Sequence, residues 1–143
     1  MSIWFDRALL PATPHVPPEG TLSHHLGIRI TAFQDDALEG TLPVDGRTRQ
    51  VMGLLHGGAS LALAETLMSA GAGWTVDRNR FQVVGLDINA NHLRGVRDGV
   101  VTGRAAPVHR GRSTQVWTCE IRDAQGHLVC TSRMTVSVLE RRT

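Results

Sequence analysis

Twenty-one consecutive residues, LLHGGASLALAETLMSAGAGW from Leu54 to Trp74, constrain what this chain can fold into more than any other stretch. Alanine, leucine and methionine dominate it and β-branched residues are scarce, a composition that favours helix. The helix is expected from about Gly57 to Ala72, with His56-Gly57-Gly58 at its start and Gly71 and Gly73 eroding its end. Its apolar residues fall on nearly every face, not on one stripe, so it must be covered on most sides. A long curved sheet wrapped around it would do that.

The rest of the chain reads as strands. LGIRITAF, from Leu26 to Phe33, and ALEGTLPV make a hairpin around Asp35-Asp36, with room for a short helix near Leu22 to Leu26. Four more candidates follow the turn at Asp77 to Arg80: FQVVGLDINANHL, GVVTGRAAPVHR, RSTQVWTCEIRD and HLVCTSRMTVSVLE. In the third, Gln115, Trp117, Cys119 and Ile121 share a face; in the fourth, Cys130, Ser132, Met134, Val136 and Val138 do. Asp123 to Gly126 is a turn between them. Pairing 123 with 126 puts Cys119 opposite Cys130, which leaves a disulfide geometrically open, although two small buried thiols suit a reducing compartment better. Consecutive antiparallel strands around one long helix make the fold class α+β. Residues 1–20 carry Pro11, Pro14, Pro17 and Pro18 and read as a loosely held, extended N-terminal arm; residues 21–143 read as a single domain.

At 143 residues the chain is sized for one core, and 41% hydrophobic with 20% charged residues suits a globular domain. A net charge of +2, carried entirely by arginine on the basic side, is too small a surplus for non-specific nucleic-acid binding. No segment reaches the length and apolarity of a membrane span, and the start lacks a secretory leader pattern, so a cytoplasmic, membrane-free protein is expected. Two cysteines are too few for a disulfide framework or, alone, for a metal site. Phosphate loops, dinucleotide glycine fingerprints and zinc-helix motifs are all missing, so neither metal nor cofactor is expected.

Three features carry chemistry. Glu65 is the only charged residue from Ala59 to Trp74. If buried, it is either a carboxylate with a raised pKa, suited to act as a general base, or a structural group tying the helix to a loop or a symmetry mate. Ser69 lies one turn later on the same face, placed to orient it. His56-Gly57-Gly58 marks the helix start, where unpaired N–H groups favour negative charge; Gly57 can polarise a carbonyl there, or else His56 merely caps and the glycines merely turn. Eight residues separate Gly57 from Glu65, about 12 Å along a helix, too far for one small carbonyl to touch both. Two copies with antiparallel helices side by side would close that gap. The third feature is a basic run from Arg94 to Arg112, either a phosphate site or a solvated edge.

The blocks GLLHGGASLALAETLMSAGAGW, VVGLDINANHLRG, VTGRAAPVHRGRSTQVW and MTVSVL, preceded by PVDGRTRQ, resemble the hot dog fold acyl-CoA thioesterases. Within these, the likeness is to the bacterial branch containing the thioesterases of menaquinone and enterobactin synthesis. It implies the hot dog fold and hydrolysis of an acyl-CoA to free acid and CoA, with CoA a part of the substrate. It further implies Glu65 as nucleophile or general base, Gly57 as carbonyl donor beside His56, Gln50 from the preceding loop, and Ser69 one turn past the carboxylate. Gln50, His56 and Gly57 would come from one subunit and Glu65 and Ser69 from its neighbour, in a homotetramer built as a dimer of dimers. His92, Arg94, His109, Gly111 and Arg112 would hold the pantetheine arm and nucleotide phosphates. Arg49, Val51 and Met52 depart from the family's usual His, Pro and Phe, which leaves the acyl group open between aromatic and medium-chain types; Met52, Met68 and Trp74 are candidates to line its cavity. A hydratase or dehydratase of the same fold, or a non-catalytic acyl-CoA-binding module, are the competing functions.

Overall fold

Alternation along the strands decides which side chains meet the helix. The computed structural model describes residues 1–142. A single 3-10 turn (Arg7–Leu9) precedes α1 (Leu22–Leu26), β1 (Arg29–Phe33), β2 (Leu38–Pro43), α2 (Gly57–Trp74), β3 (Phe81–His92), β4 (Val100–Arg110), β5 (Thr114–Arg122) and β6 (Leu128–Glu140). The strands form one antiparallel sheet in the order β1-β2-β4-β5-β6-β3. The sheet folds over α2, and the expected order of two strands, one helix and four strands holds. Leu42, Val101, Trp117, Ile121 and Val136 on the sheet, and Leu63, Leu67 and Met68 on the helix, are all fully buried. Met68 is therefore core, not cavity lining, whereas Met52 stands on a loop at 73% exposure.

Glycines let the helix approach the sheet. A Cβ on Gly71 would lie 2.7 Å from the Trp117 ring, and one on Gly103 would lie 2.8 Å from Leu67. Gly71 thus marks close packing, not erosion, and α2 continues two residues past Ala72 to Trp74. Its end is closed from a distant strand. Thr75 Oγ1 donates to the Ala72 carbonyl (2.8 Å), Gln115 Nε2 donates to Thr75 Oγ1 (2.9 Å), and Trp117 Nε1 donates to Gln115 Oε1 (2.8 Å). Replacing Gln115, which is 2% exposed, by leucine keeps apolar volume but strands the Trp117 indole N–H. The expected cost is about 1–3 kcal/mol, read as a lower melting temperature.

Only one broad side of α2 is covered within the chain. Ala59, Ser60, Leu63, Ala64, Leu67, Met68, Gly71 and Ala72 are buried, while Ala62, Thr66, Ser69 and Ala70 are half-buried and Glu65 is exposed. The expectation of burial nearly all round fails for a single copy. Beside the open face runs β3, a twelve-residue edge strand that leaves Val84 and Leu86 exposed.

The β5–β6 register also differs from expectation. Asp123 N–H donates to the His127 carbonyl, so the turn is one residue longer, and a bulge between Ile121 and Arg122 adds another step. Cys119 consequently faces Ser132, and Cys130 faces Ile121. Both thiols are free and buried. Burial, with a smaller contribution from Cys130, pushes the Cys119 thiol up to about 12, which leaves it inert near neutrality.

The N-terminal arm is held firmly, not loosely. Trp4 is 5% exposed, donates its indole N–H to the Gln34 carbonyl (2.7 Å) and meets Phe33 edge to face at 5.2 Å. Further along, His15 bridges to Ile30 on β1.

Candidate active site

His56 organises the start of α2. Its backbone is extended, and its Nδ1 accepts the Gly58 N–H at 2.8 Å. The His56 carbonyl accepts the N–H groups of Ala59 and Ser60. Gly57 N–H is left without a hydrogen-bond partner among the described residues. A donor at the positive end of an eighteen-residue helix is thus kept free by its neighbour's capping. The capping role the sequence allowed for His56 is the one seen.

The loop before the helix is tied down on both sides. Thr48 Oγ1 donates to the Pro43 carbonyl (2.7 Å), and the Thr48 carbonyl accepts from His56 N–H (2.8 Å). Hydrogen bonds from the Arg47 side chain and then its backbone hold the Asp45 carboxyl down at about 2. Gln50 emerges from this loop, its side-chain carbonyl accepting the Met52 N–H, so its amide group remains available.

Gln50, Leu54, Gly57, His92 and Arg94 line one cavity of about 400 Å³. A Cβ on Gly57 would lie 2.9 Å from His92 Nε2, so only glycine leaves that imidazole room beside the free N–H. Arg94 is steadied by Asp123, with Nε 3.6 Å from Oδ2, and His127 Nδ1 lies 3.1 Å from the same oxygen. Desolvation alone would raise the Asp123 carboxyl, but hydrogen bonds from His127 and Gln125 outweigh it and hold it below its ordinary value. Asp123 reads in the sequence only as a turn residue; its partner Arg94 comes from the loop after β3, far back in the chain, and no local pattern reveals that.

Glu65 and Ser69 lie elsewhere. Glu65 is exposed on the open face of α2, near Gly85 of β3, where a Cβ would sit 3.6 Å from its Oε1. The burial expected of it is absent from a single copy. Ser69 lines a different, larger cavity of about 660 Å³ with Ala70 and Trp74, and its Oγ contacts Met134 Sδ at 4.0 Å, not the Glu65 carboxylate.

His109, near the end of β4, and Gly111 and Arg112, on the β4–β5 connection, form a third group. The His109 ring packs against Gly111, whose Cβ would come within 2.6 Å of Nε2. Thr114 pairs with Ser137, whereas His92 pairs with Cys130. Seven residues along β6 separate the two levels, roughly 23 Å at strand rise. The chain does not bring these three residues to His92 and Arg94. Among the described residues no group of His, Cys, Asp or Glu is arranged to hold a metal.

This wrapped-helix architecture, with a free helix-start donor and a carboxylate two turns on, has relatives. The model of the thioesterase superfamily matches residues 52–130, more than half of the chain. The 1,4-dihydroxy-2-naphthoyl-CoA hydrolase of Escherichia coli is 47% identical over 137 residues, covering 96% of this chain and 99% of that protein. The proofreading thioesterase EntH of Cronobacter turicensis is 52% identical over 137 residues, covering 96% and 98%. Among solved structures, a thioesterase of Haemophilus influenzae superposes with a TM-score of 0.83 at 51% identity, covering 85% of each chain. A mutant thioesterase of Pseudomonas aeruginosa superposes with a TM-score of 0.89 at 38% identity, covering 98% of this chain and all of that one. Matched along nearly its whole length in sequence and in fold, the chain is a hot dog fold enzyme and belongs to the thioesterase superfamily.

Proposed function

We propose that the protein hydrolyses aromatic or medium-chain acyl-CoA thioesters at sites shared between two copies of the chain. The observation that carries this is the separation of two half-sites. An unpaired Gly57 N–H lies in a cavity with Gln50, and an exposed Glu65 lies on the uncovered face of the same helix. The small side chains of Gly58 and Ala62 on that face would let a second helix come close, and β3 offers an unpaired edge with exposed apolar side chains. Antiparallel apposition of two copies would cover the apolar circumference of α2 and set Glu65 of the partner subunit against the Gly57 donor. A tetramer would then be two such dimers.

The thioester carbonyl oxygen accepts from Gly57 N–H, with the Gln50 amide beside it. Both donors sit where negative charge develops as the carbonyl becomes tetrahedral. The Glu65 carboxylate either takes a proton from the attacking water or attacks the carbonyl carbon itself, giving a mixed anhydride that a water then hydrolyses. In both routes the C–S bond breaks, CoA leaves as thiol or thiolate, and the acid is released. His56 acts as a positioning residue, occupying Gly58 N–H so that the helix start keeps its shape. Ser69 lies along the acyl path beyond Glu65. His92 and Arg94 stand at the mouth of the donor cavity toward the pantetheine arm, and His109, Gly111 and Arg112 take the nucleotide phosphates.

A non-catalytic binder has no use for a carboxylate facing a helix-start donor, and a hydratase needs its base at the acyl α-carbon, not at the carbonyl. The test is a panel of CoA thioesters ranked by kcat/KM. Hydrolysis of aromatic and medium-chain members is expected; release of no CoA from any of them overturns the proposal.

Arg112→Ala is expected to raise KM for CoA thioesters several-fold with a smaller change in kcat, since arginine holds phosphate at fixed geometry, and Arg94→Ala to raise it through lost contact with the pantetheine arm. Asp123→Asn should move KM in the same direction as Arg94→Ala but less far. The Asp123 carboxyl is lowered on folding, so its contribution is present above the ordinary carboxylate pKa of about 3.9 and is lost as pH falls through the lowered value. Steady-state kinetics at low salt check all three variants.

A further inference from the structure

We infer that the stack of Arg78 on Trp74 is the end wall of the acyl chamber and sets the longest acyl group the enzyme accepts. The inference rests on the reading that hydrolysis occurs at Glu65. One turn past Glu65, the 660 Å³ cavity opens at Ser69 and runs along Ala70 and Gly73 to Trp74 at the end of α2. Ile30 of β1 and Val83 of β3 line it with that helix face. Apolar groups share its lining with His15 and Gln82, and Arg78 and Arg141 line it as well. The Arg78 guanidinium lies 4.0 Å from the centroid of the Trp74 ring.

Behind this stack is a second cavity of about 340 Å³, under the N-terminal arm. Phe5 and Leu9 line it, at 56% and 59% exposure, two large apolar side chains with nothing else covering them. The two cavities share Trp74, Val76, Arg78 and Arg141. That shared group is the partition between them.

Only one member of the partition is free to move. Trp74 belongs to α2, and its ring packs against Phe33, whose centroid is 6.5 Å away. Arg141 Nε donates to the carbonyls of Arg78 (2.8 Å) and Phe81 (3.2 Å), which pins the loop backbone. The Arg78 side chain itself has no carboxylate within salt-bridge distance among the described residues. Stacking on Trp74 is all that holds it across the opening. An acyl chain reaching this point meets a hydrated cation, against which further methylenes gain nothing. Without the guanidinium, the chamber continues onto Phe5 and Leu9.

The test uses a ladder of S-alkyl-CoA thioethers of increasing chain length, which have no carbonyl to hydrolyse, titrated calorimetrically into the assembled protein. In wild type, each methylene is expected to tighten binding about fourfold up to a break and then to add nothing. Arg78→Ala, with an unchanged melting temperature, should move the break outward by two or more methylenes, so that the longest thioethers bind at least tenfold tighter than to wild type. Arg78→Lys, which keeps the charge but loses the flat stack, should fall between. The same break in wild type and Arg78→Ala overturns the inference, as does affinity that never depends on chain length. A gain from an ω-carboxylate on the chain that Arg78→Ala abolishes also overturns it, because Arg78 is then a ligand and not a wall. Glu65→Gln should leave the ladder unchanged, so the hydrolytic reading can fail on turnover while the wall stands on binding.

Discussion

Glu65→Gln protein is expected to fold, assemble and bind CoA thioesters like wild type while its kcat falls at least ~10²-fold. Glutamine preserves the volume and the hydrogen-bonding capacity of the side chain and removes its charge, basicity and nucleophilicity. Glu65 is exposed in the single chain and makes no side-chain hydrogen bond or ion pair among the described residues. A purely structural role would have to lie in the contact between copies. That role predicts a different result: loss of the oligomer, with activity falling only in step with assembly. Turnover and light scattering on one preparation separate the two. Glu65→Asp should recover part of the rate, because the shorter arm withdraws the carboxylate by about 1 Å, and displacement of that size is costly in catalysis.

Gly57→Pro should be nearly as damaging for the opposite reason. Gly57 is the first residue of α2, the one helical position where proline is favoured, because its missing N–H has no intrahelical partner. The preceding His56 already has φ −67 and ψ 131, the extended backbone that a residue before proline adopts. Proline therefore deletes the proposed carbonyl donor at little expense to the helix, although its ring must displace His92. Loss of one such donor typically lowers kcat by about 10²–10³-fold. Gly57→Ala crowds His92 with the same Cβ but keeps the N–H. Kinetics of the pair should show Gly57→Ala far more active than Gly57→Pro. Equal activities would mean that the space beside His92 matters and the N–H does not.

The elements were legible because their signals are local. Alanine and leucine density marks α2, and strict alternation in β5 and β6 marks the face that receives it. What escaped was set by residues far apart in sequence. Trp74 stays helical because Gly71 fits against Trp117 and Gln115 supports the Thr75 cap, interactions spanning some forty residues. The Cys119–Cys130 pairing failed on one extra turn residue and one bulge, and either shifts a register that alternation alone cannot set. The arm carries prolines yet docks, because Trp4 finds both an aromatic neighbour and a carbonyl.

The site divides along the same line. Gly57 and His56 belong to the helix start and could be read directly, whereas Gln50, on the loop before it, entered only through the family resemblance. His92 and Arg94 join them through β3, but His109, Gly111 and Arg112 end up at the other end of the sheet. Glu65 stands out in the sequence as the one charge on an apolar helix, yet the cover inferred for it is missing within the chain. Helix periodicity counts the faces that need burial without saying whose surface buries them.

That second surface is the central claim, and subunit mixing tests it most directly. Glu65→Gln and Gly57→Pro proteins, each inactive alone, are unfolded together, refolded as a mixture and assayed. In a shared site each hybrid dimer carries both lesions in one active site and none in the other. Random pairing makes half of the dimers hybrids, so recovery of about a quarter of wild-type activity is expected for a two-fold assembly. Hybrids confirmed by mass spectrometry that remain inactive would contradict the account, and would return donor and carboxylate to a single chain.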